Sequence, residues 1–236
     1  DPQTLQLISQ RAVGPAGCCV QATLTGWTGG RLWLSIGSTV QLIRPVPWTV
    51  QQTIRIRAGR VQWLSFSPDG RRVYLAISRT HTGPTLQERA LPGWRLRHSA
   101  TIARNLDIGP ISAAAAAVWV TVGGGTTGGI QLFAANLSHV RLRLGAGELA
   151  RGAEEKHFFI FEDGARAAVL GGVTWLTATN ALACLQSDTG RVLAEQPGDQ
   201  THGPIIRATP AAASGDIYGV GARGLVQLQP PAACHQ

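Results

Sequence analysis

The sequence has no methionine and only one lysine, Lys156; the other 20 cationic side chains are arginine. It is poor in charge, with 14% charged residues against about 25% in a typical globular chain. Apolar segments recur to its end, which excludes a disordered, charge-extended polymer. No run approaches the roughly 20 apolar residues of a membrane-spanning helix. The most apolar stretch, Ile111 to Val122, is too short. No Gly-x-Ser-x-Gly occurs, so a hydrolase nucleophile elbow is not supported. With no signal peptide and no initiating methionine, the expectation is a chain that begins where something was cleaved or excised; a removed export signal fits both.

Cysteine is scarce as well. Cys18, Cys19, Cys184 and Cys234 match no zinc spacing, and the redox pattern C-x-x-C is absent. An even count without a metal pattern suits disulfides in an oxidising compartment; buried free thiols in the cytosol are the other reading. Four cysteines allow three pairings. Cys18 and Cys19 could close a ring between neighbours or each reach a distant partner. A Cys184–Cys234 bridge would staple adjacent repeats, worth about 3–5 kcal/mol.

What is abundant is turn chemistry: 29 glycines and 13 prolines. One unit recurs, built of a small residue, an aromatic in a short strand, a Gly-rich turn and a second strand rich in Leu and Gln. Copies start at Gly29, Gly70, Ala116, Gly171 and Gly215, with anchors Trp33, Tyr74, Trp119, Trp175 and Tyr218. The anchors lie 41, 45, 56 and 43 residues apart, the period of a four-stranded propeller blade. A strand precedes each anchor, as in Val61 to Phe66, and a fourth follows, as in Thr53 to Ile56 or Val140 to Leu144. Gly14-Pro15, Gly109-Pro110 and Gly203-Pro204 open three units. The last copy stops after its third strand, near Gln229, and the chain starts with a strand-like Thr4 to Ile8. The predicted fold is all-β: a single domain over 1–236, a five-bladed β-propeller of four antiparallel strands per blade, its last blade closed by the N-terminal strand. Closure would remove the open edge that invites aggregation.

The run Phe66-Ser67-Pro68-Asp69-Gly70-Arg71-Arg72-Val73-Tyr74 resembles the strand–turn–strand core of YVTN-type and tryptophan–aspartate-type propeller repeats. The run Cys184-Leu185-Gln186-Ser187-Asp188-Thr189-Gly190-Arg191-Val192 is similar to a hairpin of quinoprotein-like repeats. The whole resembles exported propellers of the actinobacterial type. The quinoprotein tryptophan motif is not repeated, so no quinone is implied and no cofactor is expected. Such families include lactonases, lyases and proteins that only bind; fold analogy does not choose among them.

Candidate chemistry is sparse. Asp107, Asp199 and His202 each lie near a Gly-Pro unit start, which places them near the channel mouth as a polar cluster; the bland role is turn capping. Glu154-Glu155-Lys156-His157 is the one acidic run that contains a histidine, in the longest interval between anchors, where loops carry function; the bland role is a solvated loop. Trp48 and Trp94 follow the second hairpin strand, where exposed indoles could bind a partner or simply pack. Gly123 to Gly129 leads from strand to strand, so it lacks the helix N-terminus of a phosphate loop and reads as a hairpin turn. Asn136-Leu137-Ser138 fits a glycosylation sequon.

The net charge of +8 admits an anionic partner, although arginine-rich coding alone produces it. The expected function is a non-catalytic secreted or cell-surface propeller that binds a protein or an anionic polymer, without a catalytic residue, a bound metal or a membrane span. The alternative is an enzyme of the lactonase, lyase or glutaminyl-cyclase kind with a metal at the channel mouth. Nucleic acid would need aromatic platforms among clustered arginines, and is not the expected partner.

Overall fold

The fold is taken from a computed structural model. It describes residues 22–28, 31–79, 82–104, 106–123, 129–145, 166–170, 172–178, 181–197, 205–210, 217–221, 224–228 and 232–234. These residues form antiparallel sheets strung along the chain. The first contains β1 (Ala22–Thr28), β2 (Arg31–Ile36), β3 (Thr39–Pro45) and β4 (Trp48–Arg55). The second contains β5 (Arg60–Phe66), β6 (Arg72–Ser78), β7 (Thr85–Ala90) and β8 (Arg95–Thr101). The third contains β9 (Asp107–Ala113), β10 (Ala117–Gly123), β11 (Gly129–Ala134) and β12 (Val140–Gly145). The fourth contains β13 (Arg166–Leu170), β14 (Val173–Ala178), β15 (Ala181–Gln186) and β16 (Val192–Pro197). The fifth has β17 (Ile205–Pro210), β18 (Ile217–Gly221) and β19 (Gly224–Leu228).

This is a β-propeller-like all-β fold, and it departs from the expected five blades of four strands. Four sheets have four strands; the fifth has three among the described residues. Thr4 to Ile8, expected to complete it, lies outside the described residues, so closure is not displayed. The first strands β1, β5, β9, β13 and β17 contact one another in succession. Among the described residues, hydrogen bonds stitch them: Ala113 N donates to Ser65 Oγ and Val169 N to Ser112 Oγ, both at 3.0 Å.

Burial within a sheet follows from strand position. β6 and β10 are covered on both faces and are near-continuously apolar. The outer strands β4 and β8 are mostly exposed and polar, as solvent-facing edges should be. All five aromatic anchors fall on second strands. Tyr74, Trp119 and Trp175 are buried, Trp33 is half-buried, and Tyr218 is 39% exposed.

A packing rule connects successive sheets. Each of the first four anchors meets the segment that follows the third strand of the next sheet. Trp33 lies with its ring 5.5 Å from Trp94, in the turn after β7. Tyr74 donates its hydroxyl to Ala135 O at 2.9 Å, after β11. Trp119 donates Nε1 to Ser187 O at 2.8 Å, after β15. Trp175 clusters with Cys234, beyond β19. In the first three of these turns one residue has positive φ: Trp94 and Leu137 at 56°, Gly190 at 75°. At Gly190 the reason is close approach, because an added Cβ would lie 2.6 Å from Leu142 Cδ2.

The predicted staple is present: Cys184 and Cys234 form a disulfide with Cα atoms 6.1 Å apart. It joins the fourth sheet to the segment beyond the fifth. Cys18 and Cys19 lie outside the described residues.

Candidate functional site: an arginine-flanked cleft between the second and third sheets

In an antiparallel four-stranded sheet, the turn between strands two and three lies at the same end as the connection leaving strand four. The β6–β7 turn and the β8–β9 connection therefore meet. Where they meet is a cleft of about 170 Å³ lined by Gln62, Ser78, Arg79, Arg104 and Asp107, with Gly83, Pro84, Leu106 and Ile108 at its wall.

Each polar side chain is placed by local backbone chemistry. Gln62 is the extra residue of a β-bulge in β5, since Val61 pairs with Ile77 and Trp63 with Ala76. A bulge bends the strand and re-aims its side chain. Asp107 opens β9, paired with Gly123. Gly109-Pro110, expected to open the unit, lies inside β9 at a register irregularity opposite Thr121. Proline is accommodated there because a bulge residue need not donate to the ladder.

Both arginines rest against a glycine of positive φ. Gly59 has φ 145°, and an added Cβ would fall 2.5 Å from Ser78 O and 3.3 Å from Arg79 Cγ. Gly83 has φ 79°, and an added Cβ would fall 3.0 Å from Arg104 Cα and 3.2 Å from its Cγ. Glycine is needed at both places for conformation and for space. The two arginine stems thus lie close to bare backbone, and both residues line the exposed cleft.

Arg79, Arg104 and Asp107 are all exposed. Among the described residues none of the three forms an ion pair. Opposite charges share one cleft and stay apart. Among the described residues no group of three or more His, Cys, Asp or Glu is placed to hold a metal ion.

The other sequence candidates separate. Asp199, His202 and Glu154 to His157 lie outside the described residues. Trp94, considered as an exposed rim indole, is instead 7% exposed and packs in the core with Val73 and Leu75. Its backbone is left-handed, and Arg89 donates Nη1 to Trp94 O at 3.0 Å. Burial lowers the Arg89 pKa. Trp48 opens β4 and is half-buried. Asn136 and Ser138 are exposed in the β11–β12 turn, with Ser138 Oγ donating to Asn136 Oδ1 at 2.7 Å.

Sequence reasoning missed Arg79, Arg104 and Gln62. The available signal was topological: Arg79 sits in a two–three turn and Arg104 in a four–one connection, which share an end with Asp107.

Neither a protein-family model nor a curated protein sequence matches this chain. Solved structures do: 921 chains match, so the likeness describes a widespread architecture. One is hydrazine synthase of Kuenenia stuttgartiensis, with a TM-score of 0.63 at 9% identity, over 89% of this chain and 70% of that one. At that identity the likeness supports the β-propeller-like fold and carries nothing about activity.

Proposed function

We propose that this chain is a non-catalytic, extracytoplasmic binding module whose arginine-flanked cleft holds an anionic group of a protein or of an anionic polymer. The observation that carries this reading is the pair Arg79 and Arg104, each backed by a positive-φ glycine and neither paired with a carboxylate among the described residues. Guanidinium forks are suited to carboxylate, phosphate or sulfate. The Cys184–Cys234 disulfide supports an oxidising compartment, and no helix of the described residues is long and apolar enough to cross a membrane. The enzyme alternative would use Asp107 as a metal ligand. Two arginines on the same cleft oppose a divalent cation there, so the binding reading is preferred.

The test is affinity for poly-L-glutamate and for alginate. Arg79→Ala/Arg104→Ala should weaken binding by about tenfold or more, and affinity should fall with salt. Arg55→Ala/Arg57→Ala removes the same charge from another exposed segment. Equal losses from both pairs would reduce the cleft to bulk charge and overturn the site.

The finer architecture is part of this proposal: five blades closed into a ring, with the N-terminal strand supplying the fourth strand of the last. The packing rule supports it. Its unused members are Tyr218, the half-exposed fifth anchor, and the turn before Trp48 in the first sheet. In a closed ring these two meet. A Trp48→Ala and Tyr218→Ala double-mutant cycle should show a coupling of about 0.5–1.5 kcal/mol in urea unfolding. Additive effects would mean that this seam is not formed.

A further inference from the structure

We infer that the cleft selects a small zwitterion: a ligand end bearing a carboxylate and, a few bonds away, an ammonium group, as in an amino acid or a short peptide. This rests on the reading of the cleft as an anion site and names its ligand class. Charge placement in the cleft favours such a ligand. Arg79 and Arg104 line the cleft together with Asp107, and none is engaged in an ion pair or hydrogen bond among the described residues. A site built for an anion alone would gain nothing from a carboxylate at its wall, because like charge disfavours the ligand. A site built for a cation would be opposed by both arginines. One ligand carrying both charges satisfies all three side chains, the carboxylate on the guanidinium side and the ammonium on Asp107. Gln62 and Ser78 add neutral donors and acceptors that suit a peptide or amide group between the two ends.

Size points the same way. A volume of about 170 Å³ lies below the roughly 300–1,000 Å³ of pockets that take drug-sized ligands. The glycines let backbone lie close to the arginine stems, since an added Cβ at Gly59 or Gly83 would fall 3.3 Å from Arg79 Cγ or 3.2 Å from Arg104 Cγ.

The experiment uses the full chain and three probes of one size class: glycylglycine, N-acetylglycylglycine, which lacks the ammonium, and glycylglycinamide, which lacks the carboxylate. Dissociation constants are measured by ligand-observed NMR at neutral pH. Glycylglycine is expected to bind about tenfold more tightly than either blocked probe. Asp107→Asn should bring glycylglycine down to the affinity of the acetylated probe and leave that probe bound at least as well as before. Arg104→Ala should weaken both carboxylate-bearing probes. Circular dichroism melts confirm that each variant is folded, as expected for exposed positions. If the acetylated probe matches glycylglycine, the zwitterion inference falls and the anion site stands. If no probe binds and the arginine pair also leaves polymer affinity unchanged, both readings fall.

Discussion

Tyr74 shows how one residue carries an interface between sheets. Its side chain is buried on β6, and its hydroxyl donates to Ala135 O of the third sheet at 2.9 Å. Burial pushes its pKa up to about 12, with the negative charges of Glu88 and Asp69 adding to the rise and Arg72 opposing it. The folded state therefore favours the neutral phenol more than the unfolded chain does. That contribution is full below the unfolded value, about 10, and is lost as pH rises through about 12. Tyr74→Phe should lower stability by about 1–2 kcal/mol at pH 7. In urea unfolding, the gap from wild type should narrow between pH 10 and 12 (the window just derived). A gap constant with pH would contradict the assignment. At this scale the aromatic period identified Tyr74 and Trp119 as packing anchors. Tyr218 falls on the second strand as expected but is 39% exposed. Trp94 was ambiguous in the sequence, since its burial comes from packing with Trp33 of the first sheet and with Val73 and Leu75.

At the scale of one element, the Ser67-Pro68-Asp69-Gly70 turn was the most legible part of the chain. Pro68 presets φ, and Gly70 takes φ 67°. Ser67 Oγ and Arg71 N both donate to Asp69 Oδ1, and Arg72 N donates to Ser67 Oγ at 3.0 Å. The Ser67 hydrogen bond, then the Arg71 amide, hold the Asp69 pKa below its ordinary value. A depressed carboxylate stabilises the fold above its unfolded pKa, and that stability is lost as pH falls through the folded value. Asp69→Asn should therefore lower the melting temperature at pH 7, and the two proteins should converge in acid, below pH ~3–4. The same displacement at pH 7 and in strong acid would mean that the carboxylate charge plays no part. The bulge at Gln62 was not legible. Alternation places residues on two faces of a strand, whereas one extra residue is fixed only by the register of the partner.

For the molecule as a whole, the Cys184–Cys234 bridge spans 50 residues and ties the fourth sheet to the segment beyond the fifth. Removing it as Cys184→Ala/Cys234→Ala should cost about 4 kcal/mol in the chain-entropy picture, seen as a lower urea midpoint. An unchanged midpoint would make the bridge incidental to stability. Spacing and composition alone determined the all-β class, the second-strand anchors and the hairpin turns, because each depends on residues near in sequence or on a repeating period; the Cys184–Cys234 pairing, one of three the sequence allows, was decided by the fold that brings the two together. The cleft was decided by tertiary structure. Arg79, Arg104 and Asp107 come from two sheets, and nothing in the period distinguishes these arginines from those on outer strands. They converge because antiparallel pairing puts a turn and a connection at one end, and because Gly59 and Gly83 let backbone approach their stems more closely than any side chain would permit.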